Sequence, residues 1–190
     1  MIKRYRILLL ALVVSLQTAA LVGMVAIKQR TLITGTPVLL ETEPVDPRSL
    51  FRGDYVILDY AISTLGSAQF PAVSEFSRHD PIHVLLRRGD EYWEPVSIHR
   101  ERPVVPEGHV AIRGRVEGNW GTWRDGENIP GLNVRYGIES YFVPEGEGRD
   151  IELPRNEGKV AILVAVDGAG AAAIKAVLID GIVRYEEKLF

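Results

Sequence analysis

Cysteine is absent from the 190 residues, which excludes disulfides, thiolate metal centres and a cysteine nucleophile. A strong charge of one sign is lacking too. Twenty-two basic residues stand against 25 acidic ones, a formal net charge of -3, too mild to call for nucleic acid as a partner. There is no His-Glu-x-x-His pair, no Gly-x-Ser-x-Gly elbow and no glycine-rich phosphate cradle followed by a lysine. Zinc hydrolases, α/β-hydrolases and nucleotide-binding loops therefore have no footing here, and no cofactor motif is present. The four histidines (His79, His83, His99 and His109) suggest no zinc site. After residue 30 the chain also lacks a helix-period apolar stripe, apart from a possible turn near Pro71–Phe76.

What is present begins at the N-terminus. Lys3, Arg4 and Arg6 precede an apolar run from about Ile7 to Ile27, interrupted only by the uncharged Ser15, Gln17 and Thr18. About 20 apolar residues cross a hydrocarbon core of roughly 30 Å, and a cleaved signal peptide has a shorter apolar region. The run predicts an uncleaved membrane anchor over residues 1–30, with the bilayer as its partner. Three basic residues before it and two after it (Lys28 and Arg30) favour a cytoplasmic N-terminus and an extracytoplasmic remainder. That corresponds to a single-pass protein of the inner (cytoplasmic) membrane with a periplasmic C-terminal domain.

Residues 31–190 read as one domain of common size. Short β-type runs recur over Pro37–Glu43, Tyr55–Ile62, Ile82–Arg87, Tyr92–His99, Gly108–Glu117, Leu132–Val143, Lys159–Val166, Ala171–Ile179 and Ile182–Tyr185. Gly89-Asp90 and Asp167-Gly168-Ala169-Gly170 mark turns between them. Ala171–Ala176 is helical on propensity, but its place after a turn favours strand. The expected fold is all-β, a single barrel or sandwich-like domain behind one transmembrane helix. In Tyr55–Ile62, alternation sets Val56, Leu58 and Tyr60 on one face and Tyr55, Ile57 and Asp59 on the other.

Two further segments draw attention. Asn119–Gly126 reads as a loop holding Trp120, Trp123 and Arg124. It suits either packing at a core edge or a sugar, partner or membrane-interface contact. Pro144–Asp150 reads as an acidic exposed loop after the aromatic run Tyr136–Val143, with Glu139 and Glu145 as carboxylates at a possible binding surface. Asp54 and Asp59 are further carboxylates whose default role is structural, and Gly53 is expected to supply a backbone conformation that other residues reach at a cost.

Gly53-Asp54-Tyr55-Val56-Ile57-Leu58-Asp59-Tyr60 reads Gly-Asp-Tyr-x-x-Leu-x-Tyr. With Val45–Arg52 before it and Tyr136–Gly146 after it, it resembles the bacterial GDYXXLXY domain family, over about Val38 to Asp180. The resemblance makes Gly53, Asp54, Tyr55, Leu58 and Tyr60 motif residues. It implies a membrane-anchored protein with an integral membrane partner, because members are encoded beside polytopic membrane proteins. It carries over no catalytic residue. Type I signal peptidases also place Leu and Gly-Asp, here Leu50 and Gly53-Asp54, before a strand. Val45 stands where their serine belongs, and no lysine partner can be placed, so the activated nucleophile is missing.

The sequence thus leads to an interaction or accessory module at the membrane. The other reading is an envelope enzyme or glycan-binding module built on the carboxylates and tryptophans.

Overall fold

The computed structural model describes residues 2–43, 55–124, 127–142 and 160–187. The N-terminal run forms helix α1, Ile2–Thr34. At about 1.5 Å per residue it is roughly 50 Å long, more than a hydrocarbon core of about 30 Å requires. Its segment Ile7–Thr34 is long and apolar enough to cross a membrane, and the most apolar part is uncovered by the rest of the chain. The helix runs beyond the expected Ile27 because nothing in Lys28–Thr34 breaks it. It stops at Gly35, whose N–H closes the last turn on the Thr31 carbonyl (2.9 Å), with Pro37 following.

The strands among the described residues are β1 (Thr36–Glu43), β2 (Tyr55–Ile57), β3 (Asp59–Tyr60), β4 (Thr64–Gly66), β5 (Pro81–Arg88), β6 (Trp93–His99), β7 (His109–Arg124), β8 (Glu127–Arg135), β9 (Ser140–Phe142), β10 (Val160–Val166), β11 (Ala172–Ile179) and β12 (Ile182–Glu186). They form two five-stranded sheets, ordered β12-β11-β10-β1-β3 and β4-β8-β7-β5-β6, and a small β2-β9 pair. All pairings are antiparallel. The sheets share one interior, with Val38, Leu40, Ile162, Val164 and Val177 from the first and Val84, Leu86, Ile112, Leu132 and Val134 from the second. Each such side chain contributes about 1.5–3 kcal/mol on burial, whereas an exposed ion pair contributes about 0–1. The apolar interior holds the sheets together.

The expected all-β, sandwich-like class is what forms, and three local expectations are corrected. First, Tyr55–Ile62 is not one strand. It divides into β2, β3 and a 3-10 turn over Ala61–Ser63. The alternation persists, since Leu58, Tyr60 and Ile62 are buried while Ile57 is 43% exposed. What changes is the pairing partner: β2 joins β9, β3 joins β1 and β4 joins β8. Residues 55–66 thereby stitch all three sheets together.

Second, Leu132–Val143 is broken at Tyr136–Glu139, where Gly137 takes a φ of +81° that glycine adopts without strain. β8 lies before the break and β9 after it. Third, Asn119–Arg124 is not a loop but the far end of β7, continuing the ladder to Arg124 opposite Glu127. The turn near Pro71 is a 3-10 helix, Pro71–Glu75, and Ala172–Ile179 is strand, as alternation favoured.

The helix is joined to the domain without slack. Gly35 alone separates α1 from β1, and Leu32 is buried at the junction. The Thr31 hydroxyl donates to Asp167 Oδ2 at 3.0 Å, and Asp167 Oδ1 accepts the N–H groups of Ala169 and Ala171, both at 2.9 Å. Burial opposes the charge on Asp167. The bonds from Ala171, Thr31 and Ala169 outweigh that and hold the carboxyl below its ordinary range, aided by Arg113. The same turn packs on β7, where the Gly170 carbonyl accepts the Arg113 N–H at 2.8 Å.

Two outcomes follow for the full-length protein in detergent. A Cβ on Gly35 would stand 2.5 Å from the Thr31 carbonyl oxygen and 3.0 Å from Ala165 Cβ. Gly35→Ala should therefore lower stability by about 1–3 kcal/mol in chemical unfolding. Because Asp167 is depressed in the folded state, its contribution is present above its unfolded pKa and lost as pH falls through the lower folded value, below about 4. Asp167→Asn should flatten that acid limb of a melting-temperature profile, and an unchanged acid limb would contradict the latch.

Candidate functional site

The described parts of the segments that carry the family resemblance, 55–60 and 136–142, meet in space. Tyr60 is fully buried, and its hydroxyl donates to the Ile138 carbonyl at 2.6 Å. Tyr136, also buried, donates to the Ile62 carbonyl at 2.6 Å. Each tyrosine thus holds the backbone of the other's segment. Burial, and then the Glu139 charge, raises both phenol pKa values above their ordinary range, so both remain neutral donors. The Leu58 N–H adds a bond to the Glu139 carbonyl at 2.9 Å. The Glu139 carboxylate accepts the N–H of Tyr136 and that of Gly137, the latter at 3.0 Å. These bonds close the turn between β8 and β9.

A groove opens beside this clamp, with a volume of about 430 Å³. β3 contributes Asp59, the 3-10 turn and β4 contribute Ser63 and Thr64, and β8 contributes Asn133, Val134 and Arg135. Glu117 enters through a β-bulge. Val116 pairs with Val134 and Gly118 with Asn133, leaving Glu117 as the extra residue, and bulges re-aim side chains in this way. Arg135 reaches Glu117 Oε1 at 3.2 Å and Glu139 Oε2 at 3.8 Å. Asp59 Oδ1 accepts the Tyr60 N–H at 3.0 Å. Ser63 is only 6% exposed, and its Oγ has no hydrogen-bond partner among the described residues. A buried hydroxyl left so costs about 1–3 kcal/mol.

Of the residues singled out in the sequence, Leu58, Asp59 and Glu139 line this groove. Tyr60 lies behind it, in the core. Trp120 does not line it. Its ring lies over Gly131 on β8, where a Cβ would collide with the indole, and within reach of Gly66. Among the described residues, the groove carboxylates and Trp120 therefore do not converge. Trp123 and Arg124 pair with Asn128 and Glu127 at the end of the β7–β8 ladder. Gly53, Asp54 and Glu145 lie outside the described residues, as does the side chain of Tyr55. Sequence reasoning missed Ser63, Glu117, Asn133 and Arg135; Gly118 just after Glu117 was the one available hint of a bulge.

His79 and His83 are four apart but share no helix face, since β5 begins between them at Pro81. His83 pairs instead with His99 across β5 and β6. Among the described residues no three His, Asp or Glu side chains converge as a metal site. The groove can offer hydrogen-bond acceptors and negative charge, and among the described residues it presents no nucleophile paired with a base.

A family model described as GDYXXLXY protein matches residues 17–177. The chain belongs to that family. No curated protein and no solved structure matches it.

Removing either phenol hydroxyl leaves a buried carbonyl without its donor. Tyr60→Phe and Tyr136→Phe should each cost about 1–3 kcal/mol. Because both bonds tie the same two segments, the double variant should lose less than the sum of the two. Additive losses in urea unfolding would show that the bonds act independently.

Proposed function

We propose that this GDYXXLXY family member is an accessory module of the cell envelope. In this reading α1 crosses the inner membrane with its N-terminus in the cytoplasm, and the β domain binds an integral membrane or envelope partner on the outer side. The observation that carries it is the distribution of uncovered apolar surface. Among the described residues, fifteen of the twenty large exposed hydrophobic residues belong to α1; the other five are Ile57, Val96, Val104, Ile182 and Val183. A helix apolar on all sides and uncovered by its own domain calls for lipid or other helices.

The flanking charges support the orientation, with Lys3, Arg4 and Arg6 at one end and Lys28 and Arg30 at the other. The rigid junction at Gly35 supports the role, because a domain held at the bilayer surface meets membrane-bound partners first. Gln17, in mid-span, offers a hydrogen bond to a neighbouring helix. The groove beside Asp59 favours a second reading, a module for a small envelope ligand such as a glycan. Of the two tryptophans that reading would use, Trp120 packs on Gly131 instead, which is the core-edge alternative the sequence left open, and the Trp123 side chain lies outside the described residues.

Protease added to intact spheroplasts should degrade the β domain and spare the helix. Affinity purification in mild detergent should recover a polytopic membrane protein with the chain, and exchanging α1 for an unrelated anchor should weaken that recovery. A protected β domain overturns the orientation. Recovery of the chain alone, under conditions that keep other envelope complexes intact, overturns the accessory role.

A further inference from the structure

We propose that the outer face of β5, β6 and β7 rests on the anionic lipid headgroups of the membrane that α1 crosses. The inference builds on the anchoring reading above. Arg113, His83 and His99 stand side by side on β7, β5 and β6. Directly opposed residues share a face, and their neighbours Ile82, Val84 and Ile112 fill the core, so this row faces outward. Arg115 stands one row away, opposite Pro81, and both arginines are exposed. The row on the other side holds Ala111, Leu85 and Ser97. None of these three rows carries a carboxylate. Beyond them Arg87 stands opposite Glu94. Among the described residues neither Arg113 nor Arg115 is in a salt bridge.

The connection from β6 to β7, residues 100–108, adds an apolar tip. β5 lies between those two strands, so the connection passes it on the outer side. Leu85 faces outward there and is nevertheless buried, which places part of the connection over it. Arg100 fixes its start, paired with Asp80 at 2.8 Å and lying 5.1 Å from the centre of the Phe76 ring. The His109 N–H closes its end on the Pro106 carbonyl at 3.2 Å, and Pro103 and Pro106 restrict its φ angles. Val104 on this held loop is 93% exposed, the most exposed large hydrophobic residue among those described. Arg102, two residues before it, lies close to the row. Burial first, and then the charges of Arg113, Arg102 and His99, lower the His83 pKa against a bond at Arg100. The loop's own carboxylates, Glu101 and Glu107, are exposed to solvent. An apolar tip among unpaired cations suits a membrane interface, where apolar burial and attraction to anionic lipid add.

The face begins where the helix ends. The Arg113 N–H donates to the Gly170 carbonyl, and the same turn holds Thr31 of α1 through Asp167. Lys28 and Arg30, exposed on the last turns of α1, continue the positive charge. Gly35 alone separates α1 from β1, so the tether keeps Arg113 beside the helix exit. Lipid is the occupant this favours, because headgroups surround that exit whether or not a protein partner is bound.

The chain has no cysteine, so Val104→Cys and Ile182→Cys each accept a single bimane label. Ile182 pairs with Ile179, at the end of the sheet away from the Thr31–Asp167 latch. Full-length protein is placed in phosphatidylcholine nanodiscs with or without phosphatidylglycerol, all doped with acyl-brominated lipid. The expected result is quenching at position 104 in anionic discs, lost in neutral discs and at high salt, and none at position 182. Arg102→Gln, Arg113→Gln and Arg115→Gln should each lower the docking equilibrium about 5-fold, and lysine at the same positions should retain it. Arg102→Gln leaves the strands untouched, so it decides the point even where a sheet variant misfolds. Quenching at position 104 that ignores lipid charge, or that is matched at position 182, overturns the proposal, as does unchanged docking in Arg102→Gln. A chain retained in anionic discs without quenching at position 104 overturns this inference alone and assigns the face to an acidic protein partner. A chain that leaves the discs overturns the anchoring reading and this inference together.

Discussion

Two phenol hydroxyls and two main-chain carbonyls hold this architecture in register. Tyr60 donates to Ile138 and Tyr136 donates to Ile62, both at 2.6 Å. The exchange is reciprocal, so neither segment can shift without opening a bond in the other. The segments so held are the ones where the chain changes sheets. In dry surroundings an unmade hydrogen bond costs more than a made one contributes, which turns two ordinary bonds into a strict geometric condition. The Gly137 turn and the Leu58 bond to Glu139 are consequences of that condition.

The period-two pattern was legible. Leu58, Tyr60 and Ile62 went inward as their spacing demands. Val110, Ile112 and Val116 did so on β7, with Arg113 and Arg115 outward. Asp167–Gly170 and Gly89 formed turns. What was not legible is where a strand changes partner, because alternation describes faces and not neighbours. Tyr55–Ile62 kept its faces while its pairing passed from β9 to β1. The Glu117 bulge was hidden for a related reason. One extra residue in a ladder is defined only against the opposite strand, and Val134 and Asn133 lie far along the sequence. Ser63 carried no signal, since its orphaned hydroxyl is a property of the packed surroundings.

The family pattern divides by face as well. Leu58 and Tyr60, its last two specified positions, are buried and serve the core. Asp59, the unspecified position between them, lines the groove with Glu139. On one short stretch, alternate residues therefore face the core and the groove. The clamp that orders the turn also sets the carboxylates on the groove wall, so the site's geometry is inherited from the fold. Trp120 shows the opposite case. A conspicuous aromatic residue is spent on covering the bare backbone of Gly131.

The single-residue joint at Gly35 has a mechanical consequence. With Leu32 buried and Thr31 bonded to Asp167, the helix and the sheet-rich body would turn as one lever if α1 crosses a bilayer as proposed, with the pivot within lipid. Encounters would then be confined to lateral diffusion in two dimensions, close above the headgroups. A few degrees of helix tilt would sweep the whole body across the surface, so bilayer thickness would become a variable that this molecule converts into heading.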